Sequence, residues 1–273
     1  MAASCSSKFD PIPDALWERM EPVLPIYKRS CQGGRPRLAP RNVVTGIVDV
    51  LRTGGQWKAL PKVFGSGSAL HADFQEWVER RVFHKRWRRA LPESDDLTGI
   101  DWQWQCWDGA MTKSPRGGKK TGRNPTARGK LGVQRSVLTD GRGVPLGIAI
   151  AGANVPDQTL VMETFQSLPV HRPAPRPRQR QPLCADKGDD AKSLRSAAAR
   201  RRYVVHIPHT REHAQRSPRR TARARRGVVE RTHSGTNRAR RLLIRREKKA
   251  ANDLALLHLQ FALTTWRVAG VLG

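Results

Sequence analysis

The sequence has no run that approaches the roughly eighteen apolar residues that a membrane-spanning helix needs. Its first residues, MAASCSSKFDP, also lack the basic region followed by an apolar stretch that marks a secretion signal. We therefore expect neither membrane insertion nor export, and we expect a protein of the cytoplasm.

Cysteine is scarce and its spacing is uninformative. The four cysteines form no C-x-x-C pair, and no histidine stands at zinc-finger spacing from them; they are Cys5, Cys31, Cys106 and Cys184. This pattern indicates neither a zinc knuckle nor a disulfide framework. A reducing compartment agrees with it.

Acidic residues are few compared with basic ones. The chain has 23 Asp and Glu against 51 Lys and Arg, a formal net charge of +28 and a sequence pI near 11.5. A polyanion is the expected partner, and nucleic acid is the commonest polyanion. A coding bias toward arginine is the alternative source of part of this excess. With 273 residues, 38% of them hydrophobic, the chain is long enough for one large domain or two modest ones.

Residues 14 to 92 have the pattern of short helices separated by Gly/Pro turns. The last helix is rich in arginine, which suits a helix-turn-helix-like domain that docks on DNA. The segment GGRPR, residues 33 to 37, is either an arm that enters a minor groove or an ordinary basic linker. We predict a DNA-binding domain over residues 1–95. Its expected DNA contacts are Arg35, Arg37, Arg86 and Arg88.

From residue 100 the hydrophobic period changes from helical to strand-like. Three adjacent antiparallel strands are expected, with a turn at Asp140-Gly141-Arg142-Gly143 between the second and third. Alternating helices and short strands follow, and residues 172–181 and 210–227 are predicted to be basic loops. The fold class is therefore α/β, a mixed five-stranded sheet with flanking helices over residues 96–273.

Three carboxylates stand out in this basic half of the chain. Asp108 continues the apolar face of the first strand, Asp186 ends the fourth strand, and Glu230 begins a helix crowded with arginine. Buried carboxylates need a compensating cation, and Mg²⁺ prefers oxygen ligands. The three acids therefore predict a metal site, with Asp101, Asp189 and Asp190 as competing ligands. Asp189 and Asp190 are equally suited to capping the next helix.

Helical spacing divides the segment after Glu230 into two sides. Asn237 and Arg241 lie on the same side as Glu230, which gives a polar stripe facing the site, and Arg241 is expected to contact DNA there. The opposite, apolar stripe carries Val228, Gly235, Ala239, Leu242 and Arg246. Because two of its members are glycine and arginine, we expect this stripe to be loosely packed.

Several motifs occur in the order found in bacterial insertion-sequence transposases of the family-five group, within the DDE superfamily. They are LWERMEPVLP, GGRPR, VLRTGGQWKALP, FQEW, WDGA, NPTARGKLGVQRSVLTDGRGVPLGIAIAGAN, ADKGDD and VVERTHS followed by NRARRLLIRREKKA. The sequence resembles this family over nearly its whole length. The resemblance implies an RNase H-like catalytic domain behind a helical DNA-binding domain, in a protein associated with the bacterial nucleoid through DNA.

The resemblance also implies a mechanism and a set of site residues. Asp108, Asp186 and Glu230 would be the catalytic acids and would bind two Mg²⁺ ions, with Mn²⁺ as a substitute. The reaction would be cleavage of double-stranded DNA at the element ends and joining of the 3′-OH to target DNA, by a homo-oligomer. Arg231 and Arg238 fall at basic positions that handle DNA, and no histidine is assigned to the chemistry.

Some positions depart from the family pattern. The family usually has aromatic residues at five positions that are here Asp189, Gly227, Gly235, Arg246 and Asp253. The alternative function is therefore a non-catalytic DNA-binding protein derived from a decayed or repurposed transposase. An RNA-binding protein is disfavoured, since the sequence has no aromatic platform of the RNP type.

Overall fold

The computed structural model describes residues 12–27, 36–176, 181–186, 192–207 and 227–272. Its helices are α1 (Asp14–Met20), α2 (Pro40–Thr53), α3 (Gly67–Glu79), α4 (Val82–Thr98), α5 (Asp157–Gln166), α6 (Lys192–Arg200), α7 (Gly227–Arg238), α8 (Arg240–Leu243) and α9 (Ala250–Val268). Its strands are β1 (Gln105–Lys113), β2 (Gly122–Arg123), β3 (Leu131–Asp140), β4 (Pro145–Gly152), β5 (Gln181–Cys184) and β6 (Tyr203–His206). Within these residues no helix is long and apolar enough to cross a membrane.

The N-terminal helices form where their sequence signals predict. Helix α2 starts with Pro40, whose missing N–H costs nothing in the first turn, and ends at Thr53, where Gly54 with φ 72° caps it. The helical pattern leads us to expect eight apolar core positions in this half of the chain. Two of them, Trp17 and Val23, are partly buried, and six are buried; these are Val43, Val44, Ile47, Leu51, Phe74 and Trp77. The helical pattern in this half of the chain is therefore explained by packing.

The sheet has the predicted α/β arrangement. Strands β4, β3 and β1 are antiparallel neighbours, and β5 and β6 continue the sheet as parallel strands on the other side of β1. This order agrees with the RNase H-like sheet that the resemblance implies. The sixth strand, β2, pairs with the start of β3 over two residues and was not predicted, because so short a strand has no period.

The helical segment and the sheet share one hydrophobic core. Helix α4 packs along α9, where Trp87 lies against Phe261, and the Trp87 Nε1–H donates to the Pro145 carbonyl at 3.1 Å. The predicted boundary at residue 95 falls inside α4, which ends at Thr98. Removal of the N-terminal helices would therefore expose the core of the rest of the chain.

The long C-terminal helix expected after Glu230 is interrupted. Helix α7 ends at Arg238, Ala239 has an extended ψ of 98°, and Ile244 pairs with Lys113 at the end of β1. Since the helical period stops at Ala239, neither the Glu230 stripe nor the apolar stripe continues to residue 241 or beyond.

The reason given above for loose packing of the apolar stripe, a glycine and an arginine among its members, also does not hold. A Cβ atom added to Gly235 would meet nothing within 4 Å, so this glycine leaves no hole in a core. Arg246 is exposed, and Val228, Ala239 and Leu242 are buried. Gly235 and Arg246 therefore do not face the same apolar layer as the other three residues.

Asp253 is buried at a position where the family usually has an aromatic residue. Its Oδ1 lies 3.3 Å from Arg135 Nη2, and its Oδ2 lies 3.8 Å from Arg245 Nε. Both arginines are buried as well. Asp253 therefore places a negative charge beside two cations of the core.

Candidate nucleic-acid cleavage site

The pairing of β1 with β5 sets two of the three predicted acids side by side. The strands are parallel, and Cys106 is level with Cys184. Asp108 and Asp186 each follow two residues later, so continuing the register places them level with each other and on the same face of the sheet. The side chain of Asp108 is 25% exposed and Asp186 is half-buried. Both carboxylates are therefore accessible at the edge of a buried strand pair.

Helix α7, which carries the third acid, packs on the same part of the sheet. It packs on β1 and β3 through Val228, Val229 and Thr232. The Thr232 hydroxyl donates to the Gly143 carbonyl at 2.9 Å, which ties the helix to the turn between β3 and β4. Glu230 lies on the first turn of α7 and is exposed. A carboxylate there is favoured by the positive end of the helix dipole.

His233, one turn after Glu230, is the residue of α7 that contacts Asp108. Its Nε2 lies 3.9 Å from Asp108 Oδ2, and that nitrogen is buried with no hydrogen-bond partner among the described residues. Burial lowers the pKa of His233 to about 4, and a hydrogen bond with the Asp108 backbone opposes this shift. The imidazole is therefore neutral near pH 7 and helps to hold α7 against β1. Sequence reasoning assigned it no role, although its spacing of three from Glu230 already placed it on the same side of the helix.

Within the described part of the chain, no three histidine, cysteine, aspartate or glutamate side chains stand close enough together to hold a metal ion. The donor chemistry of Asp108 and Asp186 nevertheless fits a hard cation, because both are carboxylates on adjacent strands. Glu230 would have to approach this pair to complete a three-acid site.

The competing acids have other positions. The Asp101 backbone N–H donates to Asp140 Oδ2 at 3.0 Å, and Asp101 Oδ1 accepts from the Gln103 N–H at 3.1 Å, so Asp101 organises a turn. Asp189 and Asp190 lie outside the described residues. Asp157, which the sequence did not single out, has its carboxylate where a Cβ of Gly109 would be, and burial raises its pKa. Because side chains alternate along β1, Asp157 lies on the face opposite Asp108.

The predicted DNA-binding arginines of the N-terminal half have different surroundings. Arg35 lies outside the described residues. Arg37 is half exposed, pairs with Asp73 and Glu76, and lies over the Tyr27 ring. Arg88 is exposed. Arg86, which we expected to contact DNA, is instead buried. It is 2% exposed, and its guanidinium donates to Glu93 and to the Arg19 carbonyl. DNA cannot reach it without disrupting that packing.

The arginines of the C-terminal half divide in the same way. Arg231 and Arg238 are exposed on α7. Arg241, another expected DNA contact, is also buried. It is 5% exposed, its Nε donates to Glu247 Oε1 at 3.0 Å, and its Nη1 donates to the Gly55 carbonyl. Its function in this structure is to join α8 to the end of α2.

Similarity to known proteins was found both in sequence and in structure. Residues 12–87 match a family model described as transposase of the IS4/5 family (DUF4096). A Burkholderia cepacia protein named as a transposase for insertion sequence element IS402 is 36% identical over 156 residues, which are 55% of this chain and 70% of the relative. A 16.2 kDa protein of the same element is 30% identical over 118 residues, 42% of this chain and 80% of the relative.

Solved structures give a more distant likeness. The Mos1 transposase paired-end complex with left transposon end has a TM-score of 0.37 and 13% identity, covering 94% of this chain and 82% of that one. The Mos1 catalytic domain with raltegravir and manganese has a TM-score of 0.29 and 12% identity, covering 59% and 91%. Likenesses of this size assign no residue or ligand to the chain. The sequence relationship to the IS402 protein does assign the family, as the motifs predicted: the chain belongs to the insertion-sequence transposases.

Proposed function

We propose that this transposase cleaves double-stranded DNA at the ends of its element and joins the freed 3′-OH to target DNA, with Asp108, Asp186 and Glu230 as its catalytic acids. The observation that supports the proposal is the register of β1 and β5, in which Cys106 is level with Cys184. Continued by two residues, this register would set Asp108 and Asp186 level on one face. Helix α7, which carries Glu230, packs on the same strand. The motifs WDGA, ADKGDD and VVERTHS contain these acids in the family order.

The carboxylates would hold two divalent cations, Mg²⁺ or Mn²⁺. When bound, such ions supply positive charge to the phosphodiester and lower the pKa of a water molecule. The chain itself would hold the acids in place: Asp108 lies within β1, Asp186 follows the end of β5, and His233 of α7 lies 3.9 Å from Asp108. An approach of Glu230 to the pair, on binding DNA and metal, would complete the site.

The surrounding positive charge would hold the DNA backbone. Arg231 and Arg238 are exposed on the helix that carries Glu230, and Arg37 and Arg88 are exposed on the N-terminal part. We propose that the helices of residues 1–95 recognise the element ends and that residues 96–273 carry the catalytic acids. Joining two ends requires that both be held together, which a homo-oligomer would do.

The test is cleavage of duplex DNA that carries the inverted repeats flanking the coding region. Asp108→Asn, Asp186→Asn and Glu230→Gln should each abolish cutting in Mg²⁺ or Mn²⁺ while DNA affinity is retained. Ca²⁺ should support binding without cutting. Asp157→Asn is the matched control, since this acid lies beside β1 on the opposite face and should not be required.

Two results would count against the proposal in different ways. Undiminished cutting by one of the three variants would remove that residue from the site. A wild-type protein that binds the ends but never cuts them would support the alternative, a non-catalytic DNA-binding descendant of a transposase.

A further inference from the structure

A basic pocket of about 330 Å³ lies where the N-terminal helices meet the segment around α8. One wall includes Trp57, Lys58 and His71, and the other is formed by Arg116, Arg241 and Arg246. This basic pocket is separate from the three acids. Arg116 follows the end of β1, and five residues at about 3.3 Å each put that end roughly 17 Å from Asp108.

The charged side chains that line the basic pocket are all cationic. None of its lining residues is acidic. Arg241 is neutralised by Glu247, but Lys58, Arg116 and Arg246 are exposed and have no carboxylate within ion-pair distance among the described residues. Three like charges around one small pocket repel one another, so an anion bound there would be stabilised by all three.

Some residues that line the basic pocket have hydrogen-bond donors without acceptors among the described residues. Trp57 Nε1 is buried without a hydrogen-bond partner among the described residues, and an unpaired buried donor is a costly exception in proteins. Gly67 and Ser68, in the first turn of α3, line the same pocket. Backbone N–H groups of a first turn have no acceptor within the helix. Ser66 caps only the Ala69 N–H, at 3.2 Å.

Close backbone approach brings these donors together. A Cβ on Gly67 would lie 2.0 Å from the Trp57 carbonyl oxygen, so only glycine lets α3 begin against this segment. His71, one turn further along α3, has its ring 5.1 Å from that of Trp57. The basic pocket is therefore fixed by packing as well as being positively charged.

We propose that the basic pocket binds a phosphate group of the DNA backbone, at a point away from the phosphodiester that is cut. Three cations without an ion pair among the described residues and a helix N-terminus match the charge and the acceptor oxygens of a phosphate. Trp57, in the wall of the pocket, has a buried indole N–H without an acceptor among the same residues. The inference rests on the proposed function for its ligand, DNA. The end of β1, which Arg116 follows, lies roughly 17 Å from Asp108, a length that corresponds to about five base pairs of duplex at 3.4 Å each.

The experiment compares two double variants that lose the same charge. Arg116→Gln with Arg246→Gln removes two cations of the basic pocket, and Lys192→Gln with Arg200→Gln removes two exposed cations of α6. Both are made in the Asp108→Asn protein, and binding to a duplex is measured without divalent metal over a series of salt concentrations. Melting temperatures verify that each variant is folded.

Loss of one phosphate contact should make the slope of log K against log salt shallower by about 0.9, which is roughly eightfold in affinity at 0.1 M salt. The pocket variant should show this change relative to the α6 variant. The indole N–H resonance of Trp57, identified with Trp57→Phe, should shift when the duplex is added to the parent protein. In the second arm of the experiment, inorganic phosphate at matched concentration is added instead of the duplex and the same resonance is followed.

Each contrary result has its own meaning. Equal slopes for the two double variants, or an unmoved Trp57 resonance, would overturn the inference while leaving the proposed function intact. A Trp57 resonance that moves with inorganic phosphate but not with DNA would show that the ligand is a free anion and overturn the DNA assignment. A parent protein that does not bind DNA at any salt concentration would overturn both.

Discussion

Replacing Asp253 with asparagine should be one of the most destabilising isosteric changes in this protein. The substitution keeps the size of the side chain and removes its charge from between Arg135 and Arg245. Asp253 is 1% exposed, and the side chains of the two arginines are 3% and 0% exposed. Water cannot replace the lost carboxylate, so two guanidinium groups would remain buried beside an uncharged amide.

The expected magnitude follows from this burial. Breaking a buried ion pair by removing one partner typically costs about 3–5 kcal/mol. Arg245 keeps other partners, since it donates to the Glu247 carbonyl at 2.9 Å and the Lys119 carbonyl at 2.8 Å. Burial already lowers the pKa of Arg245, and Asp253 opposes that shift. We therefore expect the lower end of the range, about 3 kcal/mol, and a fall in melting temperature of roughly 6–12 °C.

A surface ion pair supplies the control. Lys120 Nζ lies 3.0 Å from Glu163 Oε1, a shorter distance than the 3.3 Å between Arg135 and Asp253, but both side chains are about half exposed. Glu163→Gln should cost less than about 1 kcal/mol, because water screens and replaces the interaction. The two variants should therefore differ in free energy of unfolding because of the burial of the ion pairs and not because of their distances.

The measurement is urea unfolding and calorimetry of the two variants at pH 7. A melting temperature of Asp253→Asn within about 2 °C of the wild type would refute the reasoning. It would mean that Arg135 and Arg245 are satisfied by backbone carbonyls alone and that the carboxylate is not needed.

Two further predictions concern packing and pH. Gly235→Trp with Arg246→Trp should not raise the melting temperature, because Gly235 faces open space and Arg246 is exposed; a clear rise in calorimetry would restore the idea of an underfilled apolar stripe. Burial lowers the pKa of His258 to about 3 from its ordinary 6.5, so stability should be lost as pH falls from about 6.5 toward 3. His258→Phe keeps a ring stacked on Trp87 and should remove roughly 2 kcal/mol of the stability change between pH 7 and pH 5; equal changes in both proteins would contradict this.

The sequence by itself determined the elements and their class. Periods of 3.6 and 2 are local properties, so the helices of the N-terminal part, the antiparallel strands and the turn at Asp140 could be predicted from neighbouring residues. Motif order identified the family and named the three acids. It also placed Asp186 after the end of a strand, as the structure has it, while Asp108 lies within β1.

Tertiary structure alone decided which charged residues are available to a ligand. Arg86 and Arg241 are indistinguishable from Arg88 and Arg238 in sequence, yet the first two are buried against carboxylates and carbonyl groups. The break of the helix at Ala239 was equally hidden, because the pairing of Ile244 with Lys113 joins residues far apart in the chain. Burial and ion pairing depend on long-range contacts, which residue type and local spacing do not encode, and so the exposed arginines could be distinguished only in the folded chain.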